Sequence, residues 1–364
     1  MNLIIFSIVI VFVTAIEIMI PFLMKENIIF GVSIPEENIK NIKLTSYKKI
    51  YSRSIFIVFF VLIVLYLFWG INKNLSEELI ALFGIVIQSL IIFISMILYF
   101  YFHGKVMKQK VTHKWGEDLK EVKIADLTIR SRDEMLPWYI YVLPIAVTVG
   151  LISYTALQYN NLPQQIPIHW GADGKPDSFT TKSLFSVHLS SIILLTIQIM
   201  FLAIHEATKR SGIKLSATRT NLSGARQLNL RKQSSWFMFM ICVCITIFLA
   251  FLQLTTIHED LIGEVMILVV PLIFLLVILI GTVVFAIKAG TARVNAETQS
   301  VKGIKDTDED KYWKFGLFYF NNNDPSIFVE KRFGIGWTIN FANPFGYLII
   351  FGPIIVIFFV TFLV

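Results

Sequence analysis

Long apolar runs alternate with polar gaps along the whole chain. Each run is close to the ~20 residues that an α-helix needs to cross the hydrocarbon core of a bilayer. The pattern predicts an all-α integral membrane protein with about eight transmembrane helices. The predicted spans are Asn2–Met24, Ser54–Ile71, Leu79–Phe102, Pro137–Leu157, Ser183–Glu206, Trp236–Thr256, Glu264–Ile287 and Pro344–Leu363.

The basic residues predict an orientation for these spans. Twenty-nine of the 32 Lys and Arg residues lie in every second gap, and only Lys73, Lys175 and Lys182 lie in the others. Basic residues near span ends are retained on the cytoplasmic side. We therefore expect a multi-pass protein of the cell membrane, with the basic gaps inside the cell and both termini outside.

Composition supports the membrane class. The 364-residue chain is 55% hydrophobic and 16% charged, and its mean hydropathy is +0.69, which excludes an ordinary soluble domain. The net charge of +7 alone would also suit a nucleic-acid partner. Because the cations flank the spans and form no single patch, we expect contact with the anionic headgroups of the lipid bilayer and no nucleic acid.

One acidic residue, Glu17, lies inside the first apolar run. The run has no basic leader and no small-residue cleavage site, which predicts a retained span and not a signal peptide. An ionisable group at membrane depth is a functional hypothesis by default, here a proton-coupling acid. The alternative is a carboxyl group that snorkels, is protonated, or pairs with a neighbouring helix such as the fifth span.

No Gly/Ser-rich or Pro-rich linker divides the chain, which predicts one membrane domain with cytoplasmic appendages. The pattern of Ile39–Tyr51 is basic and amphipathic and predicts an interfacial helix. The polar stretch Lys214–Arg231 predicts a solvated loop. The regions are a three-span N-terminal part (1–136), a two-span core with an outward loop (137–206), a second two-span part (207–287) and an aromatic segment with the last span (288–364).

The segment before the last span combines aromatic and turn-forming residues. Tyr312–Phe320 is rich in aromatics, Asn321–Pro325 is a turn signal, and apolar residues alternate from Ile327 to Phe341. The pattern predicts a small β-like element, either a short hairpin or an extended plug against the inner face of the membrane. It suits a docking surface for a cytoplasmic regulatory protein, and equally an aromatic belt that anchors the last span.

The outward loop after the fourth span has the most specific local sequence. Pro163 and Pro167 favour an extended approach, and the Gly- and Asp-rich stretch that follows must turn sharply. This predicts a recognition element; the alternative is a lid that fixes the fourth span against the fifth. The candidate recognition residues are His169, Trp170, Gly171, Asp173, Gly174, Asp177 and Lys182.

The sequence of the same loop resembles that of a known family. Leu162-Pro163, Ile166-Pro167 and His169-Trp170, followed by Gly174, Asp177 and Lys182, resemble the loop of a bacterial family of membrane domains of unknown function. The best-known relatives are immunity proteins that protect sporulating firmicutes from a secreted killing-factor peptide. The resemblance covers Pro137 to about Glu206 and implies a membrane location. Residues 324–329 and 333–340 resemble a second module that accompanies the first in larger members.

The familiar signatures of enzymes are absent from the sequence. It has no His-Glu-x-x-His, Gly-x-Ser-x-Gly or phosphate-loop motif, so we assign no catalytic residue and no cofactor. Cys242 and Cys244 point to different faces of one predicted helix and suit neither a disulfide nor a metal pair.

Polar residues do line one face of the fifth span: His188, Ser191, Gln198 and His205, with Glu206 beside the last. Hydrogen bonding between packed helices is the simpler explanation for this stripe. A divalent-cation site is the alternative, built at the outer end of the bundle from two groups of residues, His169 with Asp173 and Asp177, and His258 with Glu259, Asp260 and Glu264.

Three classes of function remain. The first is an immunity or envelope-signal sensing protein that recognises an extracellular peptide and holds or releases a cytoplasmic partner. The second is a secondary transporter or channel, in which Glu17 and the prolines within the spans would act. The third is an intramembrane metal-dependent enzyme that uses the fifth span. The single intramembrane acid and the lack of an inverted repeat favour sensing.

Overall fold

The computed structural model describes residues 2–23, 25, 27–72, 75–171, 176–258, 264–290 and 303–362. Eight of the helices in these ranges are long and apolar enough to cross a membrane, which confirms the predicted all-α multi-pass membrane fold. The helices are α1 (Asn2–Leu23), α2 (Ile42–Asn72), α3 (Glu77–Thr112), the short α4 (Leu127–Ser131), α5 (Val142–Leu157), α6 (Leu184–Arg210), α7 (Thr220–Ile257), α8 (Glu264–Gly290) and α9 (Pro344–Phe362).

The spanning helices form two bundles. Helices α1, α2 and α3 pack on one another, and α6 packs on α5, α7 and α9, with α8 against α7. The bundles touch through α1 and α8. We call the side that holds the α1 C-terminus and most Lys and Arg residues the basic side, and the opposite side the hairpin side.

Helices α2, α3 and α7 extend well beyond the predicted spans on the basic side. The interfacial helix expected over Ile39–Tyr51 is wrong as a separate element, because α2 begins at Ile42 and runs without a break into the span. Leu44 and Tyr51 are buried in a core with Phe102 of α3, so packing continues the helix. The solvated loop expected over Lys214–Arg231 is also wrong from Thr220 onward, where α7 begins.

Short strands build a compact cap on the basic side. The cap consists of residues 27–41, 211–219 and 303–343. Its antiparallel pairs are β1 (Ile28–Ile29) with β2 (Val32–Ser33), β7 (Trp313–Lys314) with β8 (Phe318–Tyr319), and β9 (Phe328–Glu330) with β10 (Trp337–Ile339). A parallel pair, β3 (Lys120–Val122) with β6 (Ile304–Asp306), joins the end of α3 to the cap. The β-like segment predicted before the last helix is confirmed.

Two glycines allow the cap to approach the first bundle closely. Gly31 and Gly316 both have positive φ, +77° and +70°. A Cβ added to Gly31 would lie 2.6 Å from the Gly316 Cα, and Tyr99 of α3 also borders this space. Side chains would prevent this contact between the β1–β2 turn and the β7–β8 turn. Beside this contact between the two turns, the Phe30 ring stacks on the Phe333 ring, with centroids 6.3 Å apart.

Candidate functional site

The predicted recognition loop is a β-hairpin, a strand structure that the sequence analysis did not predict there. Strand β4 (Gln165–Trp170) pairs antiparallel with β5 (Pro176–Thr181), and the register shifts around His169. Ile166 points into a small core with Leu162 and Val187. The rest of the hairpin is largely exposed, and every residue of β5 except Thr180 is exposed.

Two candidate residues pair across the hairpin. His169 Nδ1 lies 2.5 Å from Asp177 Oδ1, although both side chains are well exposed, at 68% and 51%. Trp170 and Gly171 follow at the end of β4 and are partly buried. Asp173 and Gly174 lie outside the described residues.

The base of the hairpin is fixed to the helices. Lys182 Nζ donates to the Leu162 carbonyl oxygen at 2.9 Å and lies 4.8 Å from the centre of the Tyr159 ring. Ser183 caps α6 in a reciprocal pair of hydrogen bonds with Ser186. Such caps fix the start of a helix, and Ser186 Oγ also donates to the Thr181 carbonyl oxygen of β5 at 2.9 Å, so the base of the hairpin is joined to the first turn of α6.

The polar stripe of the fifth span faces other helices. Gln198 Nε2 donates to the Pro144 carbonyl oxygen of α5 at 3.0 Å, to Thr148 Oγ1 at 2.8 Å and to Thr246 Oγ1 of α7 at 2.9 Å. Ser191 and His205 are fully buried on the same face, and His188 is half-buried. The His205 ring packs edge-on to Tyr141, 5.3 Å away.

Sequence reasoning missed the polar residues of α7 that complete this interior. Gln253 Nε2 donates to the Val187 carbonyl oxygen of α6 at 2.8 Å, and Thr246 is one of the partners of Gln198. Residues 242, 246 and 253 are separated by one and then about two turns, so the helical period alone places Cys242, Thr246 and Gln253 on one face. That spacing was the available signal.

Glu17 lies in the first bundle and not beside the fifth span. Ser95 Oγ of α3 donates to Glu17 Oε2 at 2.5 Å, and the Tyr51 hydroxyl of α2 donates to the same oxygen at 3.4 Å. The hydroxyl groups of Tyr51 and Ser95 are themselves 2.7 Å apart. Glu17 therefore does not pair with the polar stripe on α6. Its hydrogen bonds hold α1 to α2 and α3.

The metal alternative gains no support from the described residues. They contain no group of three His, Cys, Asp or Glu side chains placed to hold an ion. His258 Nε2 instead lies 2.7 Å from the Tyr154 hydroxyl. Glu259 and Asp260, and the side chain of Glu264, lie outside the described part of the chain. Cys242 and Cys244 are free thiols.

Buried ion pairs hold the cap to both bundles. Asp310 pairs with Arg332 and, at 2.7 Å, with Lys110 of α3. Arg332 also donates to the Gly31 carbonyl oxygen at 2.9 Å. On the other bundle, Glu330 pairs with Arg226 of α7 at 3.6 Å. Glu330 also lies 2.6 Å from Lys25, just after α1, so one carboxylate joins both bundles.

The charges of the cap stabilise each other. Burial opposes the ionisation of Asp308, but the Lys110 ammonium and a backbone N–H hold its pKa below the ordinary value. Burial likewise opposes the ionisation of Asp324, yet hydrogen bonds from Ser326 and the charge of Lys214 lower its pKa. Burial also disfavours the charged form of Lys214, but nearby Glu309 raises its pKa overall. Asp308, Asp324 and Lys214 are therefore held in their charged forms by their partners.

A ladder of aromatic rings runs from the cap onto the last helix. The successive centroid distances are 5.4 Å from Phe318 to Phe341, 6.0 Å from Phe341 to Tyr347 and 6.2 Å from Tyr347 to Phe351. Amphipathic Tyr rings are enriched at the interface between lipid and water, and Tyr347 is the ring of this type in the ladder. The ladder favours the anchoring interpretation of the aromatic segment.

The cap also holds a cavity of about 500 Å³, bordered by the β1–β2 hairpin, the end of α3, the start of α7 and β6. Charges of both signs line it, and several are already paired, such as Glu36 with Arg219 at 2.7 Å. The cavity therefore presents no excess of either charge to a ligand.

Comparison with known proteins finds two family matches and no activity. Residues 146–195 match a domain of unknown function (DUF1648), and residues 323–347 match a family of unknown function (DUF5808). No curated protein matches the chain significantly, and neither does any solved structure. The first match contains the β4–β5 hairpin with parts of α5 and α6, and the second contains β9, β10 and the start of α9. Both fall on the motif regions noted in the sequence, and neither carries a link to peptide immunity.

Proposed function

We propose that this multi-pass membrane protein is an envelope sensor or immunity protein that recognises an extracellular peptide through the β4–β5 hairpin. The exposed hairpin, fixed at its base to α5 and α6, is the observation that carries the proposal. In this proposal the hairpin side faces outward and the basic side faces the cytoplasm, because basic residues near span ends are retained inside.

The hairpin suits recognition of an extended chain. Strand β5 is exposed except for Thr180 and has one described partner strand, β4. An edge strand offers backbone N–H and C=O groups to an added strand. Phe179, 51% exposed, and the His169–Asp177 pair add an apolar and a polar contact on this short surface.

Helix α6 connects the hairpin to the cap. Its 27 residues extend about 40 Å, and its first turn is capped at the hairpin. Just beyond its other end, the Ser211 hydroxyl accepts a hydrogen bond from the Phe328 N–H of β9 at 3.3 Å, and the Gly212 N–H donates to Ser326 at 3.0 Å. Binding at the hairpin would thereby bias the cap, which would hold or release a cytoplasmic regulatory protein.

The interior of the second bundle favours sensing over transport. The amide of Gln198 is used for hydrogen bonds to the neighbouring helices α5 and α7, and that of Gln253 binds the α6 backbone. Amide groups engaged in this way hold helices together and are not presented to a moving substrate.

The test uses variants of the exposed pair, His169→Ala and Asp177→Asn. Cells that carry the parent or a variant chain are challenged with the secreted peptide fraction of the source strain, and survival and transcriptional response are measured. We expect both variants to lose protection or signalling while the purified proteins melt within a few degrees of the parent. Asn160→Ala changes an exposed residue on the same side of the membrane. This control should keep both the protection or signalling and the melting temperature of the parent.

The lid alternative gives a different result. If the hairpin only fixes α5 against α6, each variant should lower the melting temperature and the expression level together, and the functional loss should follow the loss of stability. That outcome, or full activity in both variants, would contradict the recognition proposal.

A further inference from the structure

A basic cleft lies between the ends of α2 and α3 on the basic side. Lys105 Nζ lies 4.4 Å from the centre of the Tyr101 ring of its own helix and 5.7 Å from that of Tyr47 on α2. Lys108 lies on the same face of α3, and Lys43 lies one turn from Tyr47 on α2. We call these five residues the Lys105 cleft.

The cations of the Lys105 cleft have no carboxylate partner among the residues that the structure describes. Helix α2 contains no Asp or Glu, and α3 contains none after Glu78. Lys43, Lys105 and Lys108 are exposed, and none of them is paired with a carboxylate of the described residues. Lys110 provides the contrast, because it turns toward the cap and pairs with Asp308 and Asp310 at 2.6 and 2.7 Å. The cleft therefore offers positive charge that the protein itself does not neutralise.

The depth of the cleft matches a lipid headgroup. At 1.5 Å per residue, Tyr101 lies about 33 Å and Lys105 about 39 Å along α3 from Leu79. The hydrocarbon core is about 30 Å thick, with headgroups extending it to about 40–45 Å. Tyr101 therefore reaches the headgroup level, and the long Lys105 side chain lies just beyond it.

An apolar surface continues directly from the cleft into the bilayer. On α3, Ile97 and Phe93 lie one and two turns from Tyr101, and both side chains are more than half exposed. Acyl chains would cover this surface, whereas a soluble anion would leave it bare. Charge and apolar contact together select one class of ligand.

We propose that the Lys105 cleft binds one anionic phospholipid of the adjacent leaflet. Lys105 and Lys108 contact the phosphate, Lys43 approaches from α2, and Tyr101 lies at the glycerol level with the acyl chains along Ile97 and Phe93. The site is independent of the hairpin and of any sensing activity. It would anchor the end of the first bundle, beside the contact between α3 and the cap.

The test is native mass spectrometry of the full chain in detergent, titrated with phosphatidylglycerol or with phosphatidylcholine of the same acyl chains. We expect the parent to bind phosphatidylglycerol more tightly than phosphatidylcholine. The double variant Lys105→Gln/Lys108→Gln should bind phosphatidylglycerol about 30-fold more weakly than the parent, the ratio equivalent to about 1 kcal/mol for each of the two cations near a membrane surface. Lys311→Gln/Lys314→Gln removes the same charge from exposed positions of the cap and should bind like the parent.

A charge-conserving variant and a competition with inorganic phosphate complete the test. Lys105→Arg/Lys108→Arg should retain most of the binding, which separates loss of charge from loss of folding. Equal binding of phosphatidylglycerol by the Gln variant and the parent would overturn the proposal. So would an equal loss in the Lys311/Lys314 control. Inorganic phosphate that competes as strongly as the lipid would show a site for soluble anions instead.

Discussion

Removal of the Arg332 guanidinium should destabilise the cap. Arg332 is 8% exposed, pairs with Asp310 and donates to the Gly31 carbonyl oxygen at 2.9 Å. Breaking a buried pair by removing one partner costs about 3–5 kcal/mol. Asp310 would keep Lys110 at 2.7 Å, so we expect Arg332→Met to cost about 3 kcal/mol, the lower end of that range.

Hydrogen exchange measured by mass spectrometry is the suitable assay, because it reports the opening free energy of the cap separately from that of the helices. Peptides from residues 303–343 should exchange about 150-fold faster in Arg332→Met than in the parent, the rate ratio equivalent to about 3 kcal/mol. Arg332→Lys keeps the charge and should give an intermediate rate. An opening free energy changed by less than about 1 kcal/mol, the typical value for an exposed ion pair, would refute the reasoning.

Three further results are expected. Gln198→Leu should lower the unfolding free energy in detergent by about 2 kcal/mol, because Gln198 has three hydrogen-bond partners and interhelical hydrogen bonds average about 0.6 kcal/mol each. An unchanged unfolding free energy would contradict the role of Gln198 in helix packing. Folding lowers the pKa of Asp308 and Asp324, so their contribution to cap stability is complete above about pH 4, the unfolded value, and is lost as the pH falls through the folded values. The protection of the cap, measured as its exchange rate relative to the intrinsic rate at the same pH, should fall over that range, and Asp324→Asn should weaken the fall. Gly31→Ala should destabilise the cap by more than the about 1–3 kcal/mol of a positive φ alone, because the added Cβ would also lie 2.6 Å from the Gly316 Cα. Gly104→Ala, with open space around its Cβ position, should not destabilise it.

The spans were predictable because bilayer thickness imposes one length on every apolar run. The starts of α2 and α7 were not predictable, because packing against residues distant in sequence determines where these helices begin. In α2, for example, Tyr51 is buried beside Phe102 of α3. The hairpin was missed because β4 contains Pro167, which argues against a strand unless it lies at an edge. Asp173-Gly174, between the two strands, was the available hairpin signal.

The candidate site was predictable in part for similar reasons. The helical period placed Ser191, Gln198 and His205 on one face, and the structure buries all three there. The partners of Glu17 were not predictable, because Ser and Tyr hydroxyls occur on several spans and only helix packing selects Tyr51 and Ser95. The same holds for the cap: Lys110 and Asp310 are 200 residues apart, and no local pattern links them.

Accessibility of single cysteines tests most directly the claim that the hairpin faces outward and the cap faces the cytoplasm. In a background with Cys242 and Cys244 replaced by Ala, Ser178→Cys lies on exposed β5 and Asn322→Cys lies on the exposed surface of the cap. Intact cells are treated with a membrane-impermeant maleimide before and after permeabilisation. The account predicts that Ser178→Cys is labelled in intact cells and Asn322→Cys only after permeabilisation. Labelling of Asn322→Cys, but not of Ser178→Cys, in intact cells would contradict it.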